Sequence, residues 1–380
     1  MLEAWSPSHL PAVERCIHEY VDEHAKNHPQ NQAVVATEGP NFTYTQLSVL
    51  SSNLAVYLLG LGVKKGEVVP ILFDKSSLAV LAIVAIMKAG NVYVGFSAET
   101  PLHFLRECSS IADVPLIITS RQHEHLVEKI GCRALVLDQE LLKTLTGSAN
   151  MDIFSSPARP SDLAYLVFTS GSTGVPKAVM TEHRAYVTDA LAQQRSALLD
   201  ANSRVFHFAS YNFDATNFDV LSTLIAGGTI CVPTEFDRIN RVAGAINDLR
   251  ANFLGVTATL AQTLDPEDVP LLKVVILCGE ANSTELVHKW TKPGTGRRDV
   301  INGYGPSEAS CAFSYNVYTR QSSRASNIGR ALEGACWGWV VNPDNHRQLL
   351  PVGAKGELLI QGPTLSRIFK RGRKDIQGVR

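Results

Sequence analysis

The stretch Tyr165-Leu-Val-Phe-Thr169-Ser170-Gly171-Ser172-Thr173-Gly174-Val175-Pro176-Lys177 decides how this chain is read. An apolar run suited to a buried strand opens directly into hydroxyl and glycine residues and closes on a lysine. Glycine lets the backbone come close to an anion and adopt conformations denied to other residues. Successive N–H groups, with Thr and Ser hydroxyls, then form a cradle for phosphate oxygens. The GxxxxGK[ST] spacing of a P-loop does not fit, because Gly171 is followed by Ser, Thr, Gly, Val, Pro and then Lys. Taken alone, the segment also reads as a polar loop between a strand and a helix.

Working outward, apolar runs alternate with helical patterns on both sides. Before the loop come QAVVAT, a helix over QLSVLSSNLAVYLLGLGV capped by Thr43 or Thr45, VVPILF (68–73), NVYVGF, PLIIT (115–119) and RALVLD (133–138). After it come VFHFAS, TICVP, FLGVTAT, LKVVILCG and RDVINGYGP. This alternation predicts repeated βαβ units in mainly parallel, doubly wound sheets. Residues 142–160 are rich in small, polar and proline residues and mark a lobe boundary. Beyond Trp337 the pattern changes to short alternating strands around turns. The expected organisation is a first α/β subdomain over 1–150 and a second over 151–335. A partial small β lobe over 336–365 and a tail over 366–380 complete it.

With 380 residues, 45 % of them apolar, and a net charge of −1, the chain is an ordinary core-forming one of more than one lobe. No basic excess points to nucleic acid or an anionic membrane as partner. Seven scattered cysteines without a CxxC pair read as reduced thiols in a cytoplasmic setting rather than a disulfide framework or zinc ribbon. No secretory signal is visible at the start. The most apolar stretch, Leu78 to Met87, falls well short of the about 20 residues a membrane span needs and reads as a buried helix.

Two further segments carry chemistry. Asn302-Gly-Tyr304-Gly305-Pro306-Ser307-Glu308 follows the apolar run DVIN, and on its own it is a tight turn with a carboxylate. Asp214, in ASYNFDATNFD, follows the apolar run VFHFAS and is either a helix-capping Asp or a buried acid in need of a partner. Asp219 competes for that role.

In order and spacing these segments resemble the adenylate-forming superfamily, and most closely the adenylation domains of nonribosomal peptide synthetases. TSGSTGVPK resembles the superfamily's phosphate-binding signature. FTYTQLSVLSSNLAVYLLGLGV (42–63) resembles the first core motif, and MKAGNVYVGFSAETP (87–101) the second, where the family usually has a proline and an acidic residue in place of Gly95 and Ser97. FDATNFD (213–219) resembles the fourth, INGYGPSEAS (301–310) the fifth and GELLIQGP (356–363) the sixth. The resemblance implies the N-terminal domain of an adenylate-forming enzyme with part of a small β-barrel lobe.

It also implies roles. Thr169, Ser170, Gly171, Ser172, Thr173, Gly174 and Lys177 would hold ATP phosphates, Tyr304 and Asn302 the adenine side, Ser307 the α-phosphate and Glu308 Mg²⁺, with Lys177 and Glu308 serving catalysis. Asp214 would pair with the α-ammonium of an amino acid. Asp214, Ala215, Phe218, Thr257, Ile276, Cys278, Gly303, Cys311 and Ala312 would line a pocket for a hydrophobic, including aromatic, side chain. His207 matches a position that gates the carboxylate in the superfamily, or is a core histidine; Trp337 reads as packing.

The expected activity is ATP-dependent formation of an aminoacyl-adenylate in secondary-metabolite biosynthesis. The alternatives are an acyl- or aryl-CoA ligase and a non-catalytic remnant. The chain departs from the pattern after GPTLSR, where GRKDIQ resembles a hinge motif normally found dozens of residues later. The expectation is a deletion or mis-spliced gene, with the C-terminal lid absent and turnover weak or nil. A basic disordered tail is the other reading of residues 366–380. A carrier protein or other synthetase module would be the partner, its phosphopantetheine on a separate domain.

Overall fold

The computed structural model describes residues 11–147, 154–169, 176–292, 298–319, 322, 324–369 and 377–378. Among these residues the chain forms two large, mainly parallel sheets and a three-stranded antiparallel one. In the eight-stranded sheet, Val68–Leu72 lies between Val92–Phe96 and Leu116–Thr119, parallel to both. Its residues from Val69 to Leu72 are buried, as a run of apolar residues without alternation requires when helices cover both faces. The nine-stranded sheet runs parallel through Gln32–Ala36, Thr229–Val232, Arg204–Phe206, Phe253–Val256, Val274–Cys278 and Asp299–Tyr304. Trp337–Asn342 pairs antiparallel with Asn345–Leu349 and Glu357–Gln361, where short alternating strands are expected.

Sheet membership does not follow a division at residue 150. Gln32–Ala36 crosses into the nine-stranded sheet and pairs with Thr229–Val232. Leu163–Thr169, read from sequence as the start of a second sheet, instead pairs parallel with Val92–Phe96 in the first. Local periodicity announces a strand but carries no information about which distant strand accepts its hydrogen bonds. The helix Gln139–Gly147 runs into the expected boundary at 142–160, because Leu142 and Leu145 reach the core.

The largest core lies between the sheets. The helix Ser77–Lys88 runs through it with Ala79 to Met87 buried all round, which explains why its sequence is apolar on every side. Lys88 is buried too and pairs with Asp22 at 2.5 Å. No helix among the described residues is long and apolar enough to cross a membrane.

The helix Tyr44–Gly60 packs against Ser77–Lys88 and starts at a complete capping box. Thr43 accepts from the Gln46 N–H, and the Gln46 side chain accepts from the Thr43 N–H at 2.9 Å. Thr43→Ala is expected to cost about 1 kcal/mol, a fall in Tm of about 2 °C by calorimetry for a chain of this size.

Candidate functional site

The site lies at the carboxyl ends of the parallel strands of both sheets, where open α/β sheets present their ligand crevices. Thr169 ends the strand Leu163–Thr169, and Lys177 begins the strand Lys177–Glu182. The two strands pair antiparallel with Thr169 opposite Lys177. The intervening loop residues Ser170, Gly171, Ser172, Thr173 and Gly174 lie outside the described residues. Lys177 Nζ sits 2.6 Å from Glu308 Oε1, a partly buried ion pair that joins the phosphate-loop segment to the motif at 301–310.

Glu308 stands in a short 3₁₀ turn, Ser307–Ala309, directly after the strand Asp299–Tyr304. The turn is held tightly. A Cβ at Gly305 would come within 2.5 Å of the Cys311 carbonyl oxygen, so only glycine allows that approach. Ser310 and Cys311 both have positive φ, 60° and 98°, a backbone strain concentrated where the two motifs meet. From the far side, the Ser366 N–H donates to the Glu308 carbonyl at 2.8 Å, and Ser310 Oγ donates to the Thr364 carbonyl. Arg367–Phe369 continues as a strand antiparallel to Lys177–Glu182, so the start of the segment read as a tail braces both partners of the Lys177–Glu308 pair. Most of GRKDIQ (372–377) lies outside the described residues.

A cavity of about 540 Å³ opens beside this turn. All nine residues named as pocket lining, Asp214, Ala215, Phe218, Thr257, Ile276, Cys278, Gly303, Cys311 and Ala312, line it. They come from the ends of four strands and the segment 213–219. Gly303 keeps it open: a Cβ there would meet Ile276 Cγ2 at 2.9 Å and the Tyr315 ring at 3.2 Å. Thr257 caps the helix Ala258–Thr263 through its hydroxyl, which leaves its methyl as the apolar contribution. Burial pushes the Cys278 thiol up to about 12 and Cys311 upward as well, so neither is poised as a thiolate.

Asp214 stands at the seam. It lines the 540 Å³ cavity and also a neighbouring 290 Å³ one that reaches Thr169 and Ser307. Ser307 Oγ donates to Asp214 Oδ2. Burial pushes the Asp214 carboxyl above its ordinary value, the Ser307 hydrogen bond opposes that shift, and the Glu308 charge adds to it. A cation beside Asp214 would reverse the shift.

The remaining expected residues are placed differently. Tyr304 is 43 % exposed and lines the cavity mouth, its ring edge-on to Phe313. Asn302 is buried and does not line the cavity. Its amide accepts from Asn282 at 3.0 Å and donates to the Asn327 carbonyl at 2.8 Å, because it faces the far side of the strand. Asp219, the competitor for Asp214, is buried on the cavity wall and accepts from the Ala209 N–H at 3.0 Å. It lies in a π-helical turn, Phe218–Ser222, a bulge that often accompanies functional sites. His207 is fully buried beneath the wall, 2.7 Å from Lys75. Sequence reasoning missed Lys75; its one signal was a lysine bordering the most apolar stretch of the chain.

Cys16, His18 and His183 form a buried cluster on the opposite side of the core, with potential ligand atoms within 4.8 Å of one another. The Ile17 N–H donates to His183 Nδ1 at 3.3 Å, which puts that ring's proton on Nε2 and closes it to a metal. Burial holds both histidines neutral, each down to about 3.

Residues 21–369 match the family model described as AMP-binding enzyme. The chain is 37 % identical over 362 residues to the nonribosomal peptide synthase roqA of Penicillium rubens, covering 95 % of this chain and 15 % of that protein. It is 38 % identical over 356 residues to nonribosomal peptide synthetase 1 of Aspergillus fumigatus, covering 94 % of this chain and 6 % of that one. The chain thus spans a small part of these relatives. Among solved structures it resembles VinN in complex with L-aspartate, at a TM-score of 0.84 and 21 % identity over 96 % of this chain and 92 % of that one. It also resembles the alpha-methyl-L-serine-AMP bound form of the synthetase FmoA3, at a TM-score of 0.82 and 22 % identity over 94 % of this chain and 40 % of that one. At these identities the likeness establishes the shared fold.

Proposed function

The chain belongs to the AMP-binding enzyme family, and on that premise we propose that it is an amino-acid-activating adenylation unit of the nonribosomal peptide synthetase kind. The observation that carries this reading is the position of Asp214. A partly buried carboxylate stands where a largely apolar cavity meets the Thr169–Lys177 and Ser307–Glu308 segments. A fatty or aryl acid offers no cation to such a group, whereas an α-amino acid does. Although Asp219, Arg238 and Glu280 also border the cavity, its lining is mostly apolar and favours a hydrophobic side chain, aromatic ones included, with Gly303 and Ala312 leaving room for bulk.

In the proposed half-reaction the amino-acid carboxylate attacks the α-phosphorus of ATP. One carboxylate O–P bond forms, the bond to the bridging oxygen of the β-phosphate breaks, and pyrophosphate leaves. Positioning and charge neutralisation dominate such transfers. Asp214 fixes the ammonium and thereby aims the carboxylate. Ser307 contacts the α-phosphate, while Thr169, the residues 170–174 and Lys177 hold the β- and γ-phosphates. Tyr304 covers the adenine side. Glu308 offers a hard carboxylate oxygen of the kind Mg²⁺ prefers, and would hold that ion once ATP draws Lys177 to its phosphates. Mg²⁺ bound at Glu308 would supply neutralisation of phosphate charge. The acyl group would pass to the phosphopantetheine thiol of a separate carrier domain, within secondary-metabolite assembly. Seven unpaired cysteines fit a reducing, cytoplasmic setting.

Equilibrium binding with the twenty standard L-amino acids, a C8–C16 fatty-acid series and benzoates, each with ATP–pyrophosphate exchange, tests the reading. Binding and exchange confined to hydrophobic amino acids is expected. Saturable binding of a fatty or aryl acid with none of any amino acid would overturn it in favour of an acyl- or aryl-CoA ligase. ATP binding without any acid would leave a nucleotide-binding remnant.

A further inference from the structure

Lys75 has no assigned part in the half-reaction, yet it is a buried cation whose ammonium is held by groups of the cavity wall. It sits in the loop between Val68–Leu72 and Ser77–Lys88, on the eight-stranded sheet, and is 9 % exposed. Its ammonium reaches across to the segment 207–211, which leaves the strand Arg204–Phe206 of the other sheet. An ammonium has three protons and no acceptor. One faces His207 Nε2 at 2.7 Å, one is donated to the Ala209 carbonyl, and the Tyr211 ring face lies 4.3 Å from Nζ. His207 Nε2 accepts from that ammonium, and Thr216 Oγ1 lies 3.0 Å from the same nitrogen, which sets the short helix after Asp214 against it.

The countercharge is Asp219. Its carboxylate takes the Ala209 N–H, so Ala209 is gripped from both sides: carbonyl by Lys75, N–H by Asp219. Burial lowers Lys75 and raises Asp219, and each charge opposes the other's shift. Glu235 also faces the Lys75 backbone and is itself tied to Arg238. On the opposite side, a Cβ at Gly95 would lie 1.9 Å from the Tyr211 carbonyl oxygen, so the two backbones abut where any side chain would intrude. Segment 209–211 is thus sandwiched. Ala209 and Ser210 line the 540 Å³ cavity, and Asp214 follows three residues after Tyr211.

We infer that Lys75 is a positioning residue for the amino-acid site: a buried cation that bridges the two sheets, clamps the cavity wall at 207–211, and through it sets Asp214. The inference rests on the amino-acid-activating reading above. The chemistry it serves is recognition of the α-amino acid; among the described residues its side chain bonds His207 and Ala209 rather than the nucleotide segments.

The test is equilibrium binding of ATP and of the tightest-binding standard L-amino acid to the full chain. Wild type, Lys75→Met, Lys75→Arg and the double variant Lys75→Met/Asp219→Asn are compared. Lys75→Met leaves Asp219 buried without its countercharge; amino-acid affinity is expected to fall about tenfold or more, with ATP affinity within about twofold. Lys75→Arg keeps the charge and should recover most of the affinity. The double variant removes both charges, so it should fold with a Tm near wild type while amino-acid binding stays weak. This separates loss of the clamp from loss of the fold. Amino-acid affinity unchanged in the well-folded double variant, or ATP and amino-acid affinities falling together in every variant, overturns the inference. A wild-type chain that binds ATP but no amino acid overturns the functional reading and this inference with it.

Discussion

Asp214→Asn should weaken amino-acid binding by about two orders of magnitude or more while leaving the fold intact or slightly more stable. Truncating one member of a buried, hydrogen-bonded charge pair costs about 3 kcal/mol or more, some two orders of magnitude in affinity. The sign of the stability effect follows from the direction of the pKa. Burial raises the folded-state pKa of Asp214 above its unfolded value, so the ionised carboxylate opposes folding once the pH exceeds that unfolded value. An amide of the same shape keeps an oxygen for the Ser307 hydroxyl and removes that opposition. Sites of this kind hold stability in reserve for the ligand. Two measurements check the expectation: calorimetric binding of the preferred amino acid, and Tm without ligand at pH 7. Binding should also weaken as the pH falls toward the raised pKa, because protonated Asp214 cannot pair with an ammonium. Retained affinity in Asp214→Asn would assign the anchor to another group, with Asp219 the nearest candidate.

Lys177→Ala should reduce ATP binding and pyrophosphate exchange by about two orders of magnitude, the scale of removing one preorganised contact to developing charge. Glu308→Gln should remove the Mg²⁺ stimulation of ATP binding while leaving metal-free binding nearly unchanged. The two side chains meet at 2.6 Å, so their effects should be less than additive in the double variant. A cycle of four proteins titrated with ATP, with and without Mg²⁺, reads all three quantities. Wild-type affinity and unaltered Mg²⁺ dependence in both single variants would remove this pair from the nucleotide site. Neither variant should alter amino-acid affinity in the absence of nucleotide.

The legible and illegible parts of this chain divide along physical lines. Strands such as Val68–Leu72 and helices such as Tyr44–Gly60 are visible because burial on two faces, helical spacing and a Thr-x-x-Gln cap are local patterns. The pocket residues are legible because motif order carries them, and the structure gathers all nine around one cavity. Asn302 shows the limit of that route: motif position brings it near the site, but strand alternation turns its amide toward Asn282 and Asn327.

By itself the sequence determined the element types and the alternating α/β class, and its motif order proposed the Thr169–Lys177 segment for phosphate and Asp214 for the substrate ammonium. Element type and class are properties of short windows, where spacing and residue chemistry suffice, whereas the site roles are what the family resemblance implies. Only the tertiary structure decided that Gln32–Ala36 and Leu163–Thr169 trade sheets, that Ser366 braces Glu308, and that Lys75 reaches His207 and Ala209 from more than 130 residues away. Strand pairing and buried-charge pairing are satisfied by whichever partner the whole packed core brings within reach. No window of sequence contains that partner.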